Sequence, residues 1–144
     1  MSEEERYEKT FGLEIVATDK TFFKGRAKLL ILPGTEGEEG ILPHHQDMIV
    51  AIVPGVLRFE TEEGEKREAA VSAGFAEVMN NRVKVLVLTA ERPEDIDELR
   101  AKEAKERAEE ELRQAKSIQE YQLGKMALAR AMTRLRVARK QNIF

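Results

Sequence analysis

The chain of 144 residues has no cysteine and no tryptophan, and only four prolines and two histidines. The absence of Cys excludes disulfides and thiolate chemistry and fits a reducing compartment. No apolar run approaches the roughly 18 to 20 residues needed to cross a bilayer, so direct membrane insertion is excluded and any membrane connection runs through a protein partner. The opening segment, Met1-Ser-Glu-Glu-Glu-Arg6, is acidic where a secretion signal is basic and then apolar. A formal net charge of −3 gives no overall pull toward nucleic acid. Serine is scarce (Ser2, Ser72, Ser117), and none sits in a nucleophile elbow or beside a histidine in sequence, so no catalytic residue is assigned.

What is present falls into two halves that change at Glu91-Arg92-Pro93. Eight of the nine glycines, all four prolines and six of the eight Phe and Tyr residues lie at or before Pro93. The first half alternates: Phe11, Leu13, Ile15 and Ala17 are spaced by two, the period of a half-buried strand. Lys28 to Leu32 is a denser run stopped by Pro33-Gly34, Met48 to Val53 and Val56 to Phe59 flank Pro54-Gly55, and Ala69 to Ser72 and Phe75 to Val78 flank Ala73-Gly74. Asn80-Asn81 turns the chain into Val83 to Leu88. Short strands with frequent turn signals predict a compact all-β sandwich or barrel, in a domain of residues 1–91.

Residues 92–144 predict an α-helical hairpin. Asp95 with Glu98 is the expected capping box of the first helix; Ile96, Leu99, Ala104, Ala108, Leu112 and Ala115 fall near one face. Ser117 with Glu120 starts the second, whose stripe is Leu123, Ala127, Ala131, Leu135 and Ala138, with the turn near Lys116 to Gln119. Alanine seams allow close approach but bury little area, so such a hairpin is marginal by itself and suited to exchanging one docking surface for another. From Gln122 onward there is no acid, while Lys125, Arg130, Arg134, Arg136, Arg139 and Lys140 are basic. Those bases either pair within the hairpin or seek an acidic partner.

Four clusters are candidate sites. His44-His45 on an extended segment point to opposite faces, a poor chelate, so no metal site is assigned. Gly34 to Gly40 lacks the Lys-Ser/Thr ending of a phosphate loop and carries three carboxylates; it reads either as an exposed acidic loop or as a dock for a cationic surface. Asp97, Arg100 and Arg107 share a helix face on which forked guanidinium groups can grip a triphosphate. Ordinary pairing explains the same residues through Glu98–Lys102, Lys102–Glu106, Glu103–Arg107 and Lys105–Glu109. Nucleic-acid binding by the basic last helix is disfavoured, since residues 91–143 offer only Tyr121 for stacking.

An ordered set of segments, Glu36-Gly37-Glu38-Glu39-Gly40-Ile41-Leu42-Pro43-His44-His45, Pro54 to Leu57, Ser72 to Val78, Ala90-Glu91, Asp95-Ile96-Asp97 and Arg100 to Glu109, resembles the epsilon subunit of bacterial F-type ATP synthases. The resemblance implies an N-terminal β-sandwich of about ten strands followed by the helical hairpin, in a non-catalytic central-stalk subunit peripheral at the cytoplasmic face of the cell membrane. Its partners would be the gamma subunit, the c-ring, and beta and alpha subunits in an inhibited state. It implies c-ring contacts by Glu36, Gly37, Glu38, Glu39, Gly40, Ile41, Leu42 and His45, opposite an Arg of the ring loops. It also implies that Arg130, Arg134, Arg136 and Arg139 reach an acidic segment of beta and block ATP hydrolysis. No cofactor is required. Regulatory ATP, with or without Mg, is implied at Glu91, Ile96, Asp97, Arg100, Arg107, Arg130 and Arg134, although the ATP-binding pattern has further arginines where this chain has Glu111 and Leu123. The alternative is a stand-alone nucleotide-binding regulatory module.

Overall fold

The computed structural model describes residues 2–142, with side chains through Arg139; Lys140 of the basic run therefore lies outside the described side chains. The chain divides into two compact units, Met1–Ala90 and Glu91–Phe144.

The first unit opens with a helix that the sequence reading did not anticipate, α1 (Glu3–Lys9), capped by the Ser2 hydroxyl, which accepts from the Glu5 amide. Nine strands follow: β1 (Phe11–Ala17), β2 (Thr21–Gly34), β3 (Gly37–Ile41), β4 (Met48–Ile52), β5 (Gly55–Thr61), β6 (Lys66–Val71), β7 (Gly74–Met79), β8 (Arg82–Val87) and β9 (Ala90–Glu91). Their pairing order is β1-β8-β7-β4-β2-β5-β6-β9, with β3 on β2 and a further β1–β2 pairing. β2 has 14 residues, and its two halves serve different neighbours. Its first half pairs with β1 and its second with β3 and β5, so one bent strand joins the two layers of the sandwich. β1 and β8 run parallel.

Alternation delivers the core. β1 buries Phe11, Leu13, Ile15 and Ala17, and β8 contributes Val83, Val85 and Val87. Leu30, Leu32, Ile41, Leu57 and Phe59 close it from the other layer. Each fully buried aliphatic or aromatic side chain here contributes about 1.5–3 kcal/mol relative to exposure. The Asn80-Asn81 turn is as expected: φ is 51° and 59°, the left-handed pair that a two-residue hairpin requires.

Two expectations change. Glu36 to Gly40 is not an open loop: Gly37–Ile41 is a strand in register with β2, from Gly34↔Gly37 to Leu30↔Ile41, because Ile41 is fully buried and pins it. The histidines do not lie on an extended segment either. His44 has φ 63° in a turn held by His45 N–H donating to the Leu42 carbonyl at 3.2 Å.

The second unit begins with a 3-10 turn, Pro93–Asp95, then α2 (Glu98–Arg113) and α3 (Ile118–Asn142). The cap of α2 is Asp97 rather than Asp95: its carboxylate accepts from the Arg100 amide at 3.1 Å, while Asp95 stays in the 3-10 turn. Ser117 caps α3 as expected, accepting from the Glu120 amide at 3.1 Å, and Glu120 reaches back to the Lys116 amide at 2.8 Å. The seam also shifts. Ala101 and Ala108 are the buried residues of α2, while Leu99 and Leu123 are 64% and 61% exposed. Where the helices meet near the turn, Leu112 lies over Gly124, at which a Cβ would stand 2.9 Å from Leu112 Cδ2. A side chain at 124 would push the Leu112 side chain aside, so glycine here gives the helices their close approach.

Candidate functional site

Two arrangements carry the candidate residues, one in each unit.

In the first unit, β2 and β3 form a hairpin whose turn is Thr35-Glu36. Glu38 pairs with Arg58, its Oε2 2.7 Å from a terminal guanidinium nitrogen, so one of the three carboxylates is already neutralised by its own sheet. Glu36 and Glu39 carry no ion pair among the described residues. Leu42 is 60% exposed beyond the strand, and His45 Nδ1–H donates to the Gln46 carbonyl at 2.9 Å. Ile41 is a correction: fully buried, it anchors the tip from inside and presents nothing to a partner. Gly37 and Gly40 add backbone only. The tip is therefore a surface of two free carboxylates beside an exposed leucine. Among the described residues no group of three His, Asp or Glu side chains gathers as a metal set.

Sequence reading missed an outward apolar row on β4, β7 and β8. Ile49 is opposite Glu77 and Ala51 opposite Phe75; Phe75 in turn is opposite Leu86, and Met79 opposite Arg82. Ile49 is 74% exposed, and Phe75, Met79 and Leu88 remain about half exposed. The available signal was alternation with apolar residues at both phases: in Met48-Ile49-Val50-Ala51-Ile52 the outward positions are apolar too, which is costly on a solvated face.

In the second unit, a cleft of about 230 Å³ opens between α2 and α3, lined by Ala104, Arg107, Ala108, Glu111, Ala127, Arg130, Ala131 and Arg134. The small alanine side chains leave the floor open, and the longer residues form the rim. Arg134 is held by Glu91, Nε to Oε2 at 3.1 Å. Of the seven residues expected around a nucleotide, the fold thus gathers Arg107, Arg130, Arg134 and, through Arg134, Glu91. Asp97 and Arg100 stand apart at the start of α2, where Asp97 is occupied as the cap and lies 3.8 Å from Arg100 Nε; Ile96 is buried beside the 3-10 turn. The pairing explanation is partly realised, with Lys105–Glu109 at 3.8 Å, and Arg139 meets Glu98 at 3.4 Å. Arg130 and Arg136 are exposed and carry no ion pair among the described residues. Of the two departures from the ATP-binding pattern, Glu111 lines the cleft whereas Leu123 does not.

The cleft is smaller than the roughly 300–1,000 Å³ typical of drug-sized ligand sites. Three guanidinium groups around such a space suit a polyanion such as a phosphate chain, with the remainder of the ligand outside it. Glu111 opposes that charge.

A β-sandwich followed by an α-helical hairpin bearing a cationic cleft defines a small two-unit protein. Two family descriptions match it in that order: ATP synthase, Delta/Epsilon chain, beta-sandwich domain, over residues 10–93, and ATP synthase, Delta/Epsilon chain, long alpha-helix domain, over residues 94–139. The chain belongs to the delta/epsilon family of ATP synthase subunits. Its bacterial relatives include the ATP synthase epsilon chain of Syntrophomonas wolfei, 41% identical over 133 residues and covering 92% of this chain and 97% of the relative. The epsilon chain of Ruminiclostridium cellulolyticum is 46% identical over 126 residues, covering 88% of this chain and 93% of that one. A chain in the Euglena gracilis mitochondrial ATP synthase structure (OSCP/F1/c-ring, rotational state 1) has the same fold, with TM-score 0.76 at 23% identity over 94% of this chain and 82% of that chain. Among the described residues no helix is long and apolar enough to cross a membrane.

Proposed function

We propose that this chain is a non-catalytic rotor subunit of a bacterial F-type ATP synthase, which joins gamma to the c-ring and restrains ATP hydrolysis through its helical hairpin. The observation that carries the reading is the family match through both units, residues 10–139, together with bacterial epsilon chains as relatives across most of their length. The working position is peripheral, at the cytoplasmic face of the membrane. In this reading the β2–β3 tip docks on the c-ring: Glu36 and Glu39 offer carboxylates to a cationic ring loop, and Leu42 supplies apolar contact. The apolar row Ile49, Phe75 and Met79 is the surface available to gamma.

The hairpin is the regulatory part. Its seam of alanines buries little area per residue, so its packing is readily exchanged for another surface. Released, it presents Arg130, Arg134, Arg136 and Arg139 to an acidic segment of beta. ATP, with or without Mg, binds the closed hairpin through Arg107, Arg130 and Arg134, and a ligand that prefers one of two forms shifts the balance toward it. ATP hydrolysis by the parent enzyme, measured before and after truncation at about Pro93, tests the regulatory role. A clear rise on truncation is expected; an unchanged rate leaves the adaptor role alone. Copurification with gamma tests the adaptor role, and recovery of a lone monomer from its own cells argues for a stand-alone module.

A further inference from the structure

Helix α1 lies before residue 10, where the family match begins, and it buries none of its own residues. Seven residues are too few for a helix to persist in water unaided, so its order must come from contacts to its polar ends. Those contacts converge on its last turn. The Arg6 carbonyl accepts from the Thr10 hydroxyl, the Tyr7 carbonyl from Asn81 Nδ2 at 3.3 Å, and the Glu8 carbonyl from His44 Nε2–H at 3.1 Å. These are carbonyls that a helix end leaves without intrahelical donors. Two of the three donors come from loops far along the chain.

Those two donors are joined to each other. Asn81 Oδ1 accepts from the His44 amide at 2.7 Å, while Asn81 Nδ2 also donates to the Thr10 carbonyl at 3.0 Å. The Tyr7 ring meets the His44 ring edge-on at 5.9 Å, and the Arg26 guanidinium lies over the Tyr7 ring, 5.5 Å from its centroid. Arg6 adds a two-pronged ion pair to Glu62 at 2.6 and 2.8 Å. Both His44 and Asn81 have positive φ, 63° and 59°, an uncommon conformation for a non-glycine residue, to which Asn and His are more given than most. In this conformation His44 is held from both ends, its amide by Asn81 Oδ1 and its ring by the Glu8 carbonyl.

We infer that α1 is a strap that locks the 42–47 corner of the sandwich, with Asn81 as the positioning residue between them and Tyr7 and His44 as the clasp. Order in α1 and order in the corner are then one cooperative unit. The inference concerns the isolated chain and does not depend on the rotor reading. If that reading holds, the strap also fixes the segment carrying Leu42 and His45 before docking.

Amide hydrogen exchange on the full chain tests it. His44→Gly and Asn81→Gly keep a residue that accepts positive φ without cost while deleting the side-chain contacts, and Tyr7→Ala removes the clasp from the helix side. Each variant is expected to raise exchange by about tenfold or more in both α1 and residues 44–47, against unchanged exchange at Leu13, Ile15 and Val85 in the core. The informative direction is the long-range one: Tyr7→Ala acting on residues 44–47, and His44→Gly acting on α1. Exchange that rises only around each substituted residue overturns the inference, as does an α1 without protection in the parent chain. A general rise that includes Leu13 and Val85 indicates ordinary destabilisation and also overturns it.

Discussion

Arg134 Nε lies 3.1 Å from Glu91 Oε2, with the two side chains only 24% and 29% exposed. The pair ties α3 to the segment that leads into the 3-10 turn, and it holds one of the three cleft cations in place. Glu91→Gln should therefore loosen the hairpin unit, by about 1 kcal/mol or less for a partly shielded pair. The loss should shrink as salt is raised. Urea unfolding of the two proteins at low and high salt checks this; a salt-independent difference would assign the effect to packing instead.

The cleft separates the two departures from the nucleotide pattern. Glu111 lines it among Arg107, Arg130 and Arg134, and Leu123 does not. Glu111→Arg should tighten ATP binding by about tenfold, the 1.4 kcal/mol of one well-placed charge change, and Leu123→Arg should leave it nearly unchanged. Arg107→Ala and Arg130→Ala should weaken it. Calorimetric titration of ATP with and without magnesium reads all four, and absence of saturable binding below about 1 mM in every variant removes the sensor idea.

At the β2–β3 tip, Glu36 and Glu39 carry no ion pair among the described residues, whereas Glu38 is engaged by Arg58. Charge reversal at Glu36 and Glu39 should reduce ion-driven ATP synthesis more than reversal at Glu38, whose carboxylate already faces a cation. Reconstituted synthase vesicles supply the measurement, with the fold checked by circular dichroism. Equal loss at all three positions would mean that net charge, rather than these two groups, is what docks.

Gly74 sits where β7 meets β8 most closely: a Cβ there would lie 2.0 Å from the Leu86 carbonyl oxygen and 2.7 Å from Val87 Cα. Both are backbone atoms, so no side chain can swing aside. Gly74→Ala should cost about 3 kcal/mol or more of sandwich stability, seen as a shifted urea midpoint. Wild-type stability in that variant would contradict the close approach.

Acid should unfasten α1 before it unfolds the sandwich. The Glu62 carboxyl is held below its ordinary value of 4.5, chiefly by the hydrogen bond from Arg6, with burial pulling the other way and Arg6 and Arg26 adding attraction. A depressed carboxyl contributes stability above its unfolded value, and this is lost as pH falls through the folded one. Protection of the α1 amides should accordingly decline below about pH 4.5. In Glu62→Gln it should start lower and vary less with pH. Hydrogen exchange from pH 6 down to about pH 3 reads the slope.

Much of the fold was legible because it follows from local rules. The spacing of Phe11, Leu13, Ile15 and Ala17 gives a strand whatever else the chain does, and Asn80-Asn81 forms its turn from backbone preference. Pro93 and the alanine-rich stretch after it mark the change to helices. Less legible were β3, whose Gly-Glu-Glu-Gly sequence has poor strand propensity and pairs only because Ile41 enters the core, and α1, which is ordered by His44 and Asn81 from distant loops. The seam was displaced for the same reason: Leu99 looks like a core residue by composition, but the meeting of α2 with α3 selects Ala101 and sets Leu112 over Gly124.

By itself, then, the sequence determined the two-part architecture, the helix and strand periods, the family likeness and the basic character of the last helix, since these depend on neighbours along the chain. Only the tertiary structure decided which charges are free and which are spent. It joined Glu38 to Arg58 and Arg134 to Glu91, and it set Arg107, Arg130 and Glu111 around one cleft. The reason is physical: an ion pair or a cleft depends on distances of a few ångströms between residues tens of positions apart, and those distances exist only once the core has closed.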